Sequence, residues 1–452
     1  MKRFITTAFL ITLTITGHGF AQSEAGAIFL LISPGARAGG MGEAQIAIAD
    51  DAYASYWNPA GLGFLKGTEI AMMHVNWLPN LADDLYYDFL AFRRHVPHLG
   101  TLGGHIIYLN LGEQIRMGDH PDDYQGVFTS FMMASTISYG AMLSSNSAFG
   151  LNAKISYQHL TEFGAGAEEG KGTSIDFGFD LGYLHKEFLL SRLDVAATVT
   201  NIGPKVAFID PAQADPQPTN LTLGFNYHLI DSEYNRLNLV YDVNKMLVAS
   251  YPDMDWDGDG YVGRYDEEGH SDPDGEYNKD GKKEIAHTDP IYFAIFTSWV
   301  DDWILGGDQD LAPSDGKKDG MIGGYEWDAA NDIDGDGEPD ENEMVRTDHV
   351  EPGDSDWGRY NAYGDIEVGS GDKRSIKNEL DKLIHNFGIE YWYSKYFALR
   401  TGFYYDKTGK IANPTIGVGL RFGEYGFDFG YTSGEVGHPL TNTMRFSLNW
   451  QF

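Results

Sequence analysis

From Lys66 onward, apolar and polar residues alternate with a period of two in segments of about ten residues, each bounded by Gly, Asn, Asp or Pro. Within Ser174 to Leu184, the side chains of Ile175, Phe177, Phe179, Leu181 and Tyr183 share one face; Ser174, Asp176, Gly178, Asp180 and Gly182 share the other. A wall between lipid and a hydrated lumen requires that split. One such strand also suits a soluble sandwich, so the whole set has to decide. The pattern predicts strands at 68–77, 86–96, 103–114, 131–142, 148–159, 173–184, 192–201, 219–229 and 236–246, then, after a long interruption, at 385–393, 396–405, 415–422, 427–431 and 443–452. That makes an even number, fourteen, as single-chain outer-membrane barrels have.

The connections are a second, independent signal. After even-numbered strands they are short, as in "PHLG", "SSNS", "SK" and "GEYG"; after odd-numbered strands they include "GDHPDDYQGV", "EFGAGAEEGKG", "KVAFIDPAQADPQPTN" and the interruption itself. Barrels have short periplasmic turns and long outer loops, which places the barrel's strand ends at Lys66 and Phe452 in the periplasm. The expected fold is all-β: a 14-stranded antiparallel transmembrane outer-membrane β-barrel with an N-terminal plug and a large acidic extracellular loop insertion. In the last strand Met444, Phe446, Leu448, Trp450 and Phe452 alternate with Arg445, Ser447, Asn449 and Gln451. An apolar alternating end with Trp450 and a terminal Phe452 resembles the assembly signal of bacterial outer-membrane proteins, so outer-membrane lipid and the barrel-assembly machinery are expected partners.

The start, "MKRFITTAFLITLTITGHGFAQSE", has two basic residues, an apolar run from Phe4 to Ile15, and small residues at Gly19 and Ala21. This is the layout of a secretory signal peptide cleaved after Ala21, with a run shorter than the ~20 residues of a spanning helix. The segment "SPGARAGGMGEAQIAIADDAYASYWNPAGLGFL" that precedes the first strand is glycine-rich and irregular, and the turn at Asn58, Pro59, Ala60 and Gly61 suits a plug. The layout is therefore signal peptide at 1–21, plug at 22–65, strands one to nine within 66–247, the insertion at 248–382, and strands ten to fourteen within 383–452.

Composition adds two constraints. The chain has no cysteine, hence neither a disulfide framework nor thiol chemistry. Of the net charge of -34, the stretch 251–370 contributes -26, from 34 of the 66 acidic residues against 8 of the 32 basic ones. That concentration excludes nucleic acid as a partner and favours cations.

Two stretches of the insertion have the alternating oxygen ligands and the turn glycine of a twelve-position calcium loop. In the first, Asp255, Asp257 and Asp259 lead to Gly260, with the carbonyl of Tyr261 and the carboxylate of Asp266; in the second, Asp332, Asp334 and Asp336 lead to Gly337, Glu338 and Glu343. Ca2+ is the expected cofactor, although clear flanking helices are absent and an acidic loop of this composition also suits a solvated, unfolded segment. Between the two lies the apolar stretch Ile291 to Leu305, best read as a short helix on the barrel mouth. No nucleophile elbow or HExxH spacing is present, so the chain is not expected to be an enzyme; His105, His159 and His228 are expected to be lumen or interface side chains.

"GARAGGMGEA" (35–44), "ADDAYASYWNPAGL" (49–62), "IFTSWVDD" (295–302), "IEYWYSKYFALRTGFYYDK" (389–407) and "HPLTNTMRFSLNWQF" (438–452) resemble the PorV and PorQ branch of the FadL-like outer-membrane proteins. That resemblance implies fourteen strands, an N-terminal hatch with its Asn-Pro-Ala turn at Asn58, Pro59 and Ala60, and a part in type IX secretion: binding the C-terminal signal domains of secreted cargo and shuttling them to other components of the system. The long acidic insertion departs from the branch. Two other functions stay open, FadL-like uptake of hydrophobic small molecules and a calcium-dependent structural or adhesive role at the cell surface.

Overall fold

In the computed structural model the described residues are 25–117, 124–161, 171–208, 214–251, 264–265, 271–272, 287–301, 325–327, 344–346, 376–434 and 441–452. Fourteen strands close into one barrel. They are β1 (Thr68–Asn76), β2 (Tyr86–Val96), β3 (Gly100–Met117), β4 (Tyr124–Met142), β5 (Ser147–Thr161), β6 (Gly172–His185), β7 (Leu193–Ile202), β8 (Asn220–Asp231), β9 (Asn235–Met246), β10 (Ile384–Tyr393), β11 (Phe397–Asp406), β12 (Ile411–Phe422), β13 (Tyr425–Thr432) and β14 (Thr443–Gln451). Each pairs antiparallel with the next, and β14 returns to β1 with Trp450 opposite Ile70, so no edge is left unpaired within the wall. All fourteen expected strands are present. The largest departures are β3 and β4, 18 and 19 residues long, which outrun the ~9–11 residues a bilayer needs and raise one side of the barrel above it.

The predicted parity holds along β6. Ile175 and Phe177 face outward at 70% and 59% exposure, while Ser174, Asp176 and Asp180 are buried in the lumen. On β14, Met444, Phe446 and Trp450 face outward, and Arg445, Ser447 and Asn449 inward. Strands β1 to β3 break the simple rule, because both of their faces are apolar: Met73, Val75, Tyr87, Phe89, Ile107 and Leu109 point into the lumen.

The plug explains that exception. Residues 25–65 lie inside the barrel as two helical turns, α1 (Ala36–Gly39) and α2 (Ala54–Trp57), with 3-10 turns at Ile28–Leu31, Ile46–Ile48 and Pro59–Phe64. Phe29, Leu30, Tyr53 and Trp57 form one apolar cluster with Met73, Tyr87, Phe89 and Ile107, and the Tyr53 ring stacks on Phe89 at 5.2 Å. Burial removes these side chains from water, and that drives the plug against the β1–β3 wall.

The plug runs in a direction that its sequence does not reveal. Gly26 donates its amide to the Pro216 carbonyl, in the long connection after β7, whereas the Leu65 carbonyl accepts from Thr101 near the short turn before β3. The described chain thus begins at the long-loop end and crosses the lumen to the short-turn end. Where β7 gives way to the receiving loop, Asn201 is in the left-handed region at φ 59°, and its amide donates to Asp180 Oδ1 at 2.7 Å. Asparagine tolerates that conformation better than most residues.

Candidate functional site

The densest polar chemistry among the described residues is the contact between plug and wall. Arg37, alone among small residues in α1, sends Nε and Nη2 to the two carboxylate oxygens of Glu390 on β10, at 2.8 and 2.9 Å. A bidentate fork fixes direction as well as distance. The remaining Nη1 pairs with Asp50 and reaches Asp51 Oδ2 at 3.2 Å. Glu390 also accepts from Arg400 Nε at 2.9 Å, Arg400 pairs with Asp428 at 2.7 Å, and Asp428 accepts from Arg421 at 2.9 Å. The chain of charges thus runs from the plug through β10, β11, β13 and β12, and the guanidiniums of Arg400 and Arg421 sit 5.5 and 5.3 Å from the Trp392 ring. Four carboxylates share three guanidiniums here. Burial, reinforced by the neighbouring carboxylates, pushes the Asp51 carboxyl from 3.8 up to about 7 in spite of Arg37.

Plug backbone amides are held directly by wall side chains. Ala36 donates to Ser447 Oγ and Gly42 to Thr415 Oγ1, both at 2.8 Å, and Gln45 and Ile46 both donate to Asp242 Oδ2, at 2.6 and 3.0 Å. Arg445 reaches Glu43 at 2.9 Å, and Asn152 donates to the Ser55 carbonyl at 2.8 Å. An irregular segment has unpaired amides and carbonyls, and the inward polar residues of the strands supply their partners.

Close approach requires a wall without side chains at the points of contact. Gly140, Gly150 and Gly182 are register partners across β4, β5 and β6, and all three face Pro59 or Asn58. Gly388 and Gly402 are partners across β10 and β11 and face Met41; a Cβ on Gly388 would stand 2.8 Å from the Met41 carbonyl.

The predicted turn residues sit at the heart of this seat. Asn58 Oδ1 accepts from the Ala60 amide at 3.1 Å, and its Nδ2 donates to the carbonyls of Ile46 and Tyr183. Pro59 opens the 3-10 turn, and Pro59, Ala60 and Gly61 are buried. At the chain's other end, Phe452 exchanges two backbone hydrogen bonds with Thr68, both 2.9 Å, while its ring lies 4.6 Å from Trp450 on the outward face. His105 stacks on Phe89 and lies 3.2 Å from Ser55 Oγ in the lumen; His228 meets Asp194 at 2.9 Å, also in the lumen; His159 stacks on Phe131 on the outward side. The ten calcium-loop positions, Asp255, Asp257, Asp259, Tyr261, Asp266, Asp332, Asp334, Asp336, Glu338 and Glu343, lie outside the described residues, as do 1–24.

Among the described residues, lumen cavities flank the plug on two sides. One of about 180 Å3 lies on the long-loop side, among Ile28, Ile32, Glu43, Trp77, Tyr404 and Arg445. The other, of about 190 Å3, is on the short-turn side among Asp50, Lys186, Asp194, His228 and Arg236. A larger concavity of about 660 Å3 opens outward at the β1–β14 seam, lined by Met72, Leu90, Ile106, Leu420, Phe427 and Leu448, and faces lipid. Sequence reasoning placed the plug turn but missed Arg37, Glu390 and Asp428. The available signal was a lone arginine in a glycine-rich plug followed by Asp50 and Asp51, with inward parity assigning Glu390, Arg400 and Asp428 to the lumen.

A closed fourteen-stranded wall, apolar outside and filled by a bonded plug, is an outer-membrane barrel. The chain belongs to the PorV family: the family described as "Type IX secretion system protein PorV" matches residues 21–253, more than half of it. No curated protein matches. Among solved structures the chain is similar to the Ralstonia pickettii toluene transporter TbuX, with 12% identity over 94% of this chain and 100% of that one at a TM-score of 0.46. It is also similar to the CymD monoaromatic hydrocarbon channel (10%, 93% and 98%, TM-score 0.45) and to a Pseudomonas aeruginosa FadL homologue (9%, 92% and 98%, TM-score 0.38).

Proposed function

We propose that this protein is a secretion component of the outer membrane that binds secreted cargo through the cargo's C-terminal signal domain and hands it to other type IX components. Family membership supports the system, and one structural observation supports binding over conduction. The plug is bonded to the wall on several sides, and its flanking cavities of about 180 and 190 Å3 are smaller than the ~300–1,000 Å3 of typical small-molecule sites. A lumen so filled favours work on the surfaces, and in this reading the long outer connections are the binding face. Export by a cleaved leader ending at Ala21 and Ca2+ in the insertion belong to the same reading. Calcium would neutralise crowded carboxylates and shape the largest outer loop, and extracellular calcium modules bind at about 10⁻⁴ to 10⁻³ M.

The test is co-purification. The full chain, expressed with an affinity tag in a bacterium that has the type IX system, should enrich proteins bearing the cargo C-terminal domain over a control barrel of similar size. Equal recovery on both would defeat the proposal. Uptake of hydrophobic molecules is the rival; its expected outcome is saturable passage of a monoaromatic compound into vesicles that contain only this barrel.

A further inference from the structure

The helix α3 (Ile291–Thr297) is inside out for a water-exposed element. Its inward positions are small or polar: Ala294, Ser298 and, just beyond, Asp301 are buried. Tyr292, Phe293, Ile295, Phe296, Trp299 and Val300 are exposed, with Phe296 at 73%. From Pro290 to Val300 there is no charged residue, although the surrounding stretch is the most acidic part of the chain. Scattered apolar residues on a surface need no explanation, but a continuous aromatic face does.

Its position says what covers it. The segment is tied to the chain leaving β9 by Asp289, whose amide donates to the Ala249 carbonyl at 2.9 Å, and to the chain entering β10 by the Lys382–Asp301 ion pair at 2.8 Å. The Trp299 ring lies 5.9 Å from Lys245 Nζ. On β9, Lys245 has the outward parity of Tyr241 and Val243, two rungs nearer the long-loop end than Val243's neighbour Tyr241 on that same face. Immediately below it, outward rings gather across strands: Tyr241 bonds His385 at 2.7 Å, and His385 stacks near Tyr405. An outward aromatic belt of this kind marks the membrane–water boundary of a barrel. Trp299 beside Lys245 therefore puts the helix on the outward side of the wall, just beyond this aromatic belt at the long-loop rim.

We infer that α3 is an interfacial helix whose Tyr292, Phe293 and Phe296 insert into the outer leaflet, so that the acidic insertion is moored to the membrane surface beside the barrel. Amphipathic helices bury such faces about 5–10 Å into the headgroup and acyl boundary. The occupant is lipid, and the anchoring makes no use of cargo or calcium.

The cysteine-free chain makes the test direct. A nitroxide on Phe296→Cys, and separately on Tyr292→Cys, is measured in the full-length protein in phospholipid vesicles for collision with oxygen and with a water-soluble nickel chelate. Phe177→Cys on the wall serves as the lipid reference and Glu233→Cys in a short turn as the water reference. Heat-modifiable gel migration selects folded protein for each variant. Oxygen collision like that at position 177, with nickel collision several-fold below that at 233, is the expected result. Nickel collision equal to that at 233 would overturn the inference. Low collision with both reagents would overturn it as well, because the face would then be packed against protein, either a second copy or another part of the chain.

Discussion

Arg37 and Glu390 are 353 positions apart in the chain and face to face in the lumen, joined by two parallel hydrogen bonds of 2.8 and 2.9 Å. Both side chains are buried, and Glu390 has Arg400 as its second partner. The pair ties a helical turn of the plug to the tenth strand, so its loss should read out on the plug before it reads out on the wall.

Arg37→Ala leaves Glu390 with one guanidinium and Asp50 and Asp51 with none from the plug. Breaking a buried pair from one side costs about 3–5 kcal/mol. The folded barrel should still migrate as a folded band, while protease cuts within 36–57 and single-channel conductance in planar bilayers rise well above wild type. Unchanged conductance and unchanged cutting would show that the amide contacts to Ser447, Thr415 and Asp242 hold the plug unaided.

The glycine seat makes a separate prediction. Gly388→Val puts a branched side chain where Met41 packs, and overpacking of this kind costs about 1–3 kcal/mol. Plug protection from protease should drop, whereas Thr401→Val, on the outward face of the neighbouring strand, should leave it intact. Equal effects of both changes would mean that the wall, and not the plug contact, is what suffers.

Acidity should act on the plug through Asp51. The folded-state value of Asp51 is raised to about 7 from 3.8, mainly by burial, so the folded protein holds that proton more tightly than the unfolded chain. Its stabilising contribution is complete below about pH 4 and is lost as pH climbs through 7. Plug protection measured by hydrogen exchange should therefore decline between pH 4 and 7, and Asp51→Asn should make that slope shallower. A slope of opposite sign in wild type would refute the assignment.

Calcium is expected to act on the insertion alone. Adding millimolar calcium to the full chain should protect residues 248–382 from protease, chelation should reverse it, and the double change Asp257→Ala with Asp334→Ala should abolish it. Heat migration of the barrel should not respond. Protection that is identical in the double variant would remove the two loops as the binding sites.

The number of strands, their parity and the alternation of short and long connections were legible in the sequence, because a period of two and the chemistry of turns are local properties. The turn at Asn58 and Pro59 was legible for the same reason, while the helix at Ile291 was legible from a break in the alternation; the last residues of that stretch, 302–305, lie outside the described residues. What only the tertiary structure decided are the meetings that closure brings about. The inward apolar residues Met73, Phe89 and Ile107 have no reason to be there until the plug's Tyr53 and Trp57 arrive. Arg37 looks like an isolated charge until β10 comes round to present Glu390. The long-loop origin of the plug depends on Gly26 finding Pro216, and the exposed face of α3 acquires meaning only from the lipid-facing wall beneath it. Periodicity tells each residue which side of the wall it faces, and closing the barrel determines what it meets there.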